Sequence, residues 1–163
     1  MAVMNVTAGN EAVLTLGTTA AMAAPCHSDG FVIPLVQDIT VNASPSIVRY
    51  SVLDNPSSKA FTTVNENSIS GNMLLDDLTF FGGGAAGNDV RVNGLFTTST
   101  DKTEIFFSVA FNGATDPLVS GDTYIAGQGF ISGLAPTASM DAAIWLSSFE
   151  IAVNGELSKT VTA

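Results

Sequence analysis

The chain has one cysteine, one histidine and five cations among 163 residues, and each scarcity closes off a class of chemistry. A lone Cys26 excludes an intrachain disulfide framework, and with only His27 beside it no zinc site of the Cys/His type can form. Adjacent side chains on a strand point to opposite faces, so Cys26 and His27 are badly placed as nucleophile and base. A single histidine also leaves no convincing Ser-His-Asp set. Five Lys+Arg against 15 Asp+Glu give a formal net charge of −10. That balance argues against a surface that grips phosphates, because nucleic-acid affinity comes largely from cations that displace counterions. Long apolar runs are missing as well: no segment approaches about eighteen consecutive apolar residues, so no membrane insertion by this chain is expected. The stretch Ala20 to Cys26 has the look of a cleavage site. However, it follows no basic region, Glu11 precedes it, and Thr15, Gly17, Thr18 and Thr19 break the apolar run, so a secretory signal is not expected.

What remains is an apolar chain with few charges. Hydrophobic residues make up 46% and charged residues 12%, so part of the exterior is expected to be covered by other subunits. The length fits a single domain over 1–163 with a core that needs no metal. An acidic excess repels identical subunits and polyanions alike, so it must be spread out or face a shared space such as a pore.

Period-2 patterning dominates. Residues 1–10 read as an N-terminal arm and Glu11 to Leu16 as a first strand. Phe31, Ile33, Leu35, Ile39 and Val41 mark a second strand, with Pro34 at an edge or bulge. Asn42 to Ser46 signals a turn, Ile47 to Leu53 a strand, Asp54 to Phe61 a projecting polar loop, and Thr62 to Leu75 the return. Together these make a long hairpin with its tip away from the core. The run Gly82 to Gly87 fits no phosphate-binding spacing and reads as a connector. Asn88 to Thr98 is open to helix or strand, with helix favoured by a capping Asn88 or Asp89. Glu104 to Phe111 is a strand with Ile105, Phe107, Val109 and Phe111 on one side. Asp122 to Ser132 and Ala143 to Val153 are two more, separated by a Gly/Pro connector, and Trp145, Phe149, Ile151 and Val153 share a face. Residues 158–163 read as a C-terminal tail. The expectation is a mainly β chain: an antiparallel sandwich or barrel of about seven or eight strands, with one short helix and a projecting β-hairpin loop.

Chemistry-bearing constellations are thin. Glu104 and Glu150 are the one carboxylate pair to weigh against a glycosidase geometry, and a solvated strand face explains both. Asp54, Asp76 and Asp77 lack calcium-loop spacing. Exposed Tyr124 and Trp145 would suit a carbohydrate-binding sandwich, but Trp145 falls on the face of Phe149 and Ile151, which reads as core. Neither a cofactor nor a metal is expected.

One resemblance covers the chain from about Val36 to Leu157. It is carried by Gln37 to Val41 followed by Ile47 to Leu53, then Asn67 to Met73 with Asp76 and Asp77, then Gly127 to Leu134, Ala135-Pro136, Ile144 to Val153 and Asn154 to Leu157. In order, spacing and composition these resemble the major tail tube protein of long-tailed bacteriophages. The resemblance implies a non-enzymatic virion protein that forms hexameric rings stacked into a tail tube, a conduit for genome DNA. It implies as partners other copies of itself, a tape-measure protein, and tail terminator and distal tail proteins. DNA would pass without specific binding. Its place would be the virion tail, with the host cytoplasm during assembly. Asp54, Asn55, Pro56, Ser57, Ser58, Lys59, Ala60 and Phe61 are the candidate inter-subunit contact, and Glu66, Glu104 and Glu150 the candidate lumen or solvent acids. Another shell component, a capsid decoration or tail terminator protein, is the structural alternative.

Overall fold

The computed structural model describes residues 12–25, 27–33, 36–52, 55–83, 87–111, 123–138, 140 and 145–161. The chain is mainly antiparallel β-structure. In chain order the elements are β1 (Val13–Gly17), β2 (Phe31–Val32), β3 (Val36–Val52), β4 (Asn55–Leu75), α1 (Asp77–Phe81), α2 (Asp89–Thr100), β5 (Ile105–Ala110), β6 (Thr123–Thr137), β7 (Trp145–Val153) and β8 (Ser158–Val161). The strands form one hydrogen-bonded sheet in the order β2-β1-β5-β6-β7-β4-β3, open at both ends. β8 continues the edge of β6 that β7 leaves, with Gly129 opposite Val153 and Ala126 opposite Ser158.

Four strand spacings separate β1 from β4, roughly 19 Å in a flat sheet. Yet Leu14 and Leu16 of β1 line one small apolar cavity with Met73 of β4 and Phe149 and Ile151 of β7. The sheet therefore curls until its ends face each other, as in a sandwich. The enclosed core holds Leu14, Leu16, Ile69, Met73, Ile105, Phe107, Val109, Phe149 and Ile151, with Phe80 of α1 and Val90 and Leu95 of α2 over its open side. Strict alternation in β5 and β7 produces this: Ile105, Phe107 and Val109, and Phe149 and Ile151, all point inward.

Asn88 fastens the helices to this body. Its side chain caps α2 by accepting from the Val90 N–H at 3.1 Å, and its amide donates to the carbonyls of Leu16 at 3.2 Å and Asp29 at 2.8 Å. Gly94 breaks α2 with φ 74° and ψ 169°, a conformation open essentially to glycine alone. A Cβ there would sit 2.4 Å from the Gly82 nitrogen and 2.5 Å from the Phe80 carbonyl oxygen. The two helices interlock through backbone.

Several expectations need correction. The turn at Asn42 to Ser46 is absent: β3 runs straight through it, with a register shift between Pro45 and Ile47. The expected polar loop is largely strand, since β4 begins at Asn55. The expected Gly/Pro connector after Ser132 belongs to β6, which continues to Thr137. Of the expected C-terminal tail, Ser158–Val161 is β8. Asp89–Thr100 is helical, and a second helix, α1, stands before the glycine run, with Asp76 as its cap. The N-terminal arm, residues 1–10, and Cys26 lie outside the described residues.

Candidate assembly surface

β4 pairs with β7 only from Ser68 to Leu75. Towards the tip its described partner is β3 alone, in register from Ala43 opposite Asn67 to Val52 opposite Asn55. This leaves a two-stranded arm about 36 Å long, taking eleven residues beyond Val41 at strand rise. Its residues 42–51, 58–63 and 66 are all exposed. Even so, Ile47, Val48, Tyr50 and Phe61 are large and apolar. Val48 stands opposite Phe61 and Tyr50 opposite Lys59, so these four share one face. The Tyr50 and Phe61 rings meet edge to face at 5.8 Å. An isolated two-stranded ribbon is marginal in water at best.

A different surface covers β3, β4, β7 and the C-terminal half of β6. Opposite the core-facing Ile69, Phe149 and Ile151, the outward rows read Thr40, Ser70 and Glu150, then Asn42, Ser68 and Ala152, then Asp38, Asn72 and Ser148. Asp38 accepts from both the backbone and the side-chain amide of Asn72, at 3.1 and 2.8 Å. These rows are small, polar or acidic and hold no Lys or Arg. Glu66 belongs to the same row of β4 as Ser68 and Ser70, farther out towards the arm.

The sequence-derived site residues thus separate into groups. Asp54 lies outside the described residues. Asn55 to Phe61 form the first residues of β4, with Ser58, Lys59, Ala60 and Phe61 exposed. Glu66 and Glu150 lie on the outward sheet face. Glu104 stands apart at the start of β5 and accepts from the Asn154 side chain at 2.7 Å. Since Asn154 is four residues beyond Glu150, roughly 13 Å along an extended strand, the two glutamates are not brought to the facing distance of a glycosidase pair. His27 is engaged locally, its Nδ1 accepting from the Asp29 N–H at 3.1 Å. Tyr124 and Trp145 make no shared platform: Tyr124 lines a groove beside Thr160, and Trp145 is edge-on to Phe80 at 5.8 Å.

Sequence reasoning missed the surface around α1 and α2. Phe81 and Phe96 are 6.3 Å apart, Phe81 and Trp145 6.2 Å, and Leu78 and Phe81 are 62% and 54% exposed. The adjacent Phe80 and Phe81 were the available signal, one ring buried and the other not.

No family model matches the chain, and no curated relative matches it in sequence. Solved structures do. The tail of an empty gene transfer agent particle, refined with C6 symmetry, aligns over 96% of this chain and 100% of its own at 17% identity, with a TM-score of 0.64. The SPP1 tail tube aligns over 96% and 80%, at 11% identity and a TM-score of 0.67. The fold is that of a tail tube protein. An extracellular contractile injection system, in its sheath-tube complex, shares the tail-tube fold over 96% and 93% of the two chains, at 6% identity and a TM-score of 0.58. The fold thus recurs between sequences with almost no residues in common.

Proposed function

We propose that the chain is a non-enzymatic structural subunit, a single domain that assembles into six-membered rings stacked as a virion tail tube. The observation that carries this reading is the four-stranded patch β6-β7-β4-β3. Among the described residues, the outer edge of β3 and the outer edge of β6 beyond Ile131 carry no strand. Consecutive strands in the patch run antiparallel, so the β3 of one copy can follow the β6 of the next without breaking the alternation. Joining them pairs backbone groups that a lone subunit leaves as an aggregation hazard. Six copies make a barrel of twenty-four strands, with a backbone diameter of roughly 37 Å before strand tilt widens it. A DNA duplex passes through such a bore.

The patch then turns its outward face to the lumen. Ser, Thr and Asn offer no cation to hold a phosphate, and Glu150 and Glu66 repel it, so the polymer slides without sticking. Glu104, held by Asn154, is a solvent charge. The C6 symmetry of the gene transfer agent tail supports the ring size. The exposed arm, including Asp54 to Phe61, makes contacts between subunits. Genome DNA, a tape-measure protein in the lumen, and terminator and distal tail proteins at the tube ends are the partners. The subunit acts in the virion tail after assembly in the host cytoplasm.

Negative-stain electron microscopy of the purified chain tests the proposal. Rings or tubes about a hundred ångström wide are expected from six domains of this size; a strict monomer at assembly concentrations would sink it.

A further inference from the structure

The two exposed apolar patches lie at opposite ends of one strand. β4 begins in the arm at Asn55 and ends in the body at Leu75, where Asp76 caps α1. From Phe61 to Leu75 is about 46 Å at strand rise, so an arm cannot cover the helical patch of its own subunit. It can cover that of a copy lying further along the strand direction.

We propose that the arm face of one copy, Val48, Tyr50, Lys59 and Phe61, docks on the α1/α2 face of the next copy along that direction, around Leu78, Phe81 and Phe96. This rests on the tail-tube reading and supplies the contact that extends a ring into a tube. The chemistry is complementary. The arm offers an aromatic pair beside Lys59, directly opposite Tyr50. The receiving face offers Leu78 and Phe81 beside Asp77, which is four residues before Phe81 on the same helix and exposed. Each patch is too apolar to remain in water usefully, and each lacks a partner of its own among the described residues. Unlike patches at opposite ends make a head-to-tail contact, which does not close on itself and so propagates.

Crosslinking and charge exchange test it. In a Cys26→Ser background, Phe61→Cys with Phe81→Cys should give, on oxidation of assembled protein, a ladder of covalent multimers on a denaturing gel. Each single variant should give no ladder. Lys59→Asp and Asp77→Lys, with melting temperatures checked against the parent, should each shorten tubes several-fold, and combining them should restore length. Tubes in which the paired cysteines fail to link overturn the docking but leave the tube-subunit reading standing, as do charge variants of unchanged length. Efficient dimers from Phe61→Cys alone, the mark of arm-to-arm contact, overturn it too. A parent chain that never assembles removes both proposals together.

Discussion

The body and the arm are built from the same two strands under opposite rules. Between Ser68 and Leu75, β4 has strands on both sides and buries Ile69 and Met73 at 0% and 1% exposure. Between Asn55 and Asn67 the same strand has one described partner, and Phe61 is 51% exposed. Nothing in the local backbone distinguishes the two halves; the difference is whether a second layer lies over the side chain. Apolar residues in the body therefore stabilise the fold. Those in the arm are held for another molecule.

That contrast gives predictions that separate folding from assembly. The largest effect belongs to the helix interlock: Gly94→Ala forces a Cβ into the Gly82 backbone from a glycine-only conformation. It should cost about 3 kcal/mol or more, seen as a large fall in the thermal melting temperature, with assembly lost only because the subunit unfolds. Ile151→Ala, at the centre of the core, should cost about 2 to 5 kcal/mol in chemical denaturation. Tyr50→Ser with Phe61→Ser should reverse the pattern. Subunit stability should stay within about 0.5 kcal/mol per site while tube formation, followed by light scattering and electron microscopy, collapses. A melting temperature that falls as far as in Ile151→Ala would show that the arm belongs to the fold, and the contrast would be broken.

Smaller effects sharpen the sheet face. Glu66→Lys combined with Glu150→Lys should leave folding and tube length unchanged, yet slow DNA release from particles, measured by ejection kinetics at low salt. Unaltered ejection would take both residues off the lumen. The smallest effect is at α1. The Thr79 side chain and its backbone N–H both hydrogen-bond the Asp76 carboxylate and hold its pKa below the ordinary aspartate value. A lowered folded-state pKa contributes stability above the unfolded value of about 3.9. The contribution fades as pH falls through the folded pKa. Asp76→Asn should therefore flatten the acid limb of the stability curve below about pH 4, with little change near neutrality.

How much of this was legible in the sequence follows the same division. β5 and β7 were readable because one face of each is core and the other is not, so Ile105, Phe107 and Val109, and Phe149 and Ile151, print the pleat directly. The arm was not readable in detail, since a ribbon wet on both faces carries no alternation, and Pro45 and Asn42 then look like a turn. β6 was cut short for a related reason: Gly133 and Pro136 are turn formers, but Gly133 stands at a register shift opposite Glu150 and Pro136 pairs with Ser147. β8 is four residues, mostly exposed, too short for a pattern. Among site residues, the outward placement of Glu150 followed from its parity with Phe149. Its alignment with Ser70 and Thr40, and the separation of Glu104 from it, needed the register between strands distant in the chain.

The open edges of β3 and β6 also bear on how the ring proposed above would grow. Each early arrival satisfies one edge and leaves another bare, whereas the final subunit satisfies two at once while ordering only itself. Partial arcs are then the scarce species at every concentration, and subunits partition between free chains and finished circles. Such a subunit stays dispersed until its concentration crosses a threshold, and then commits.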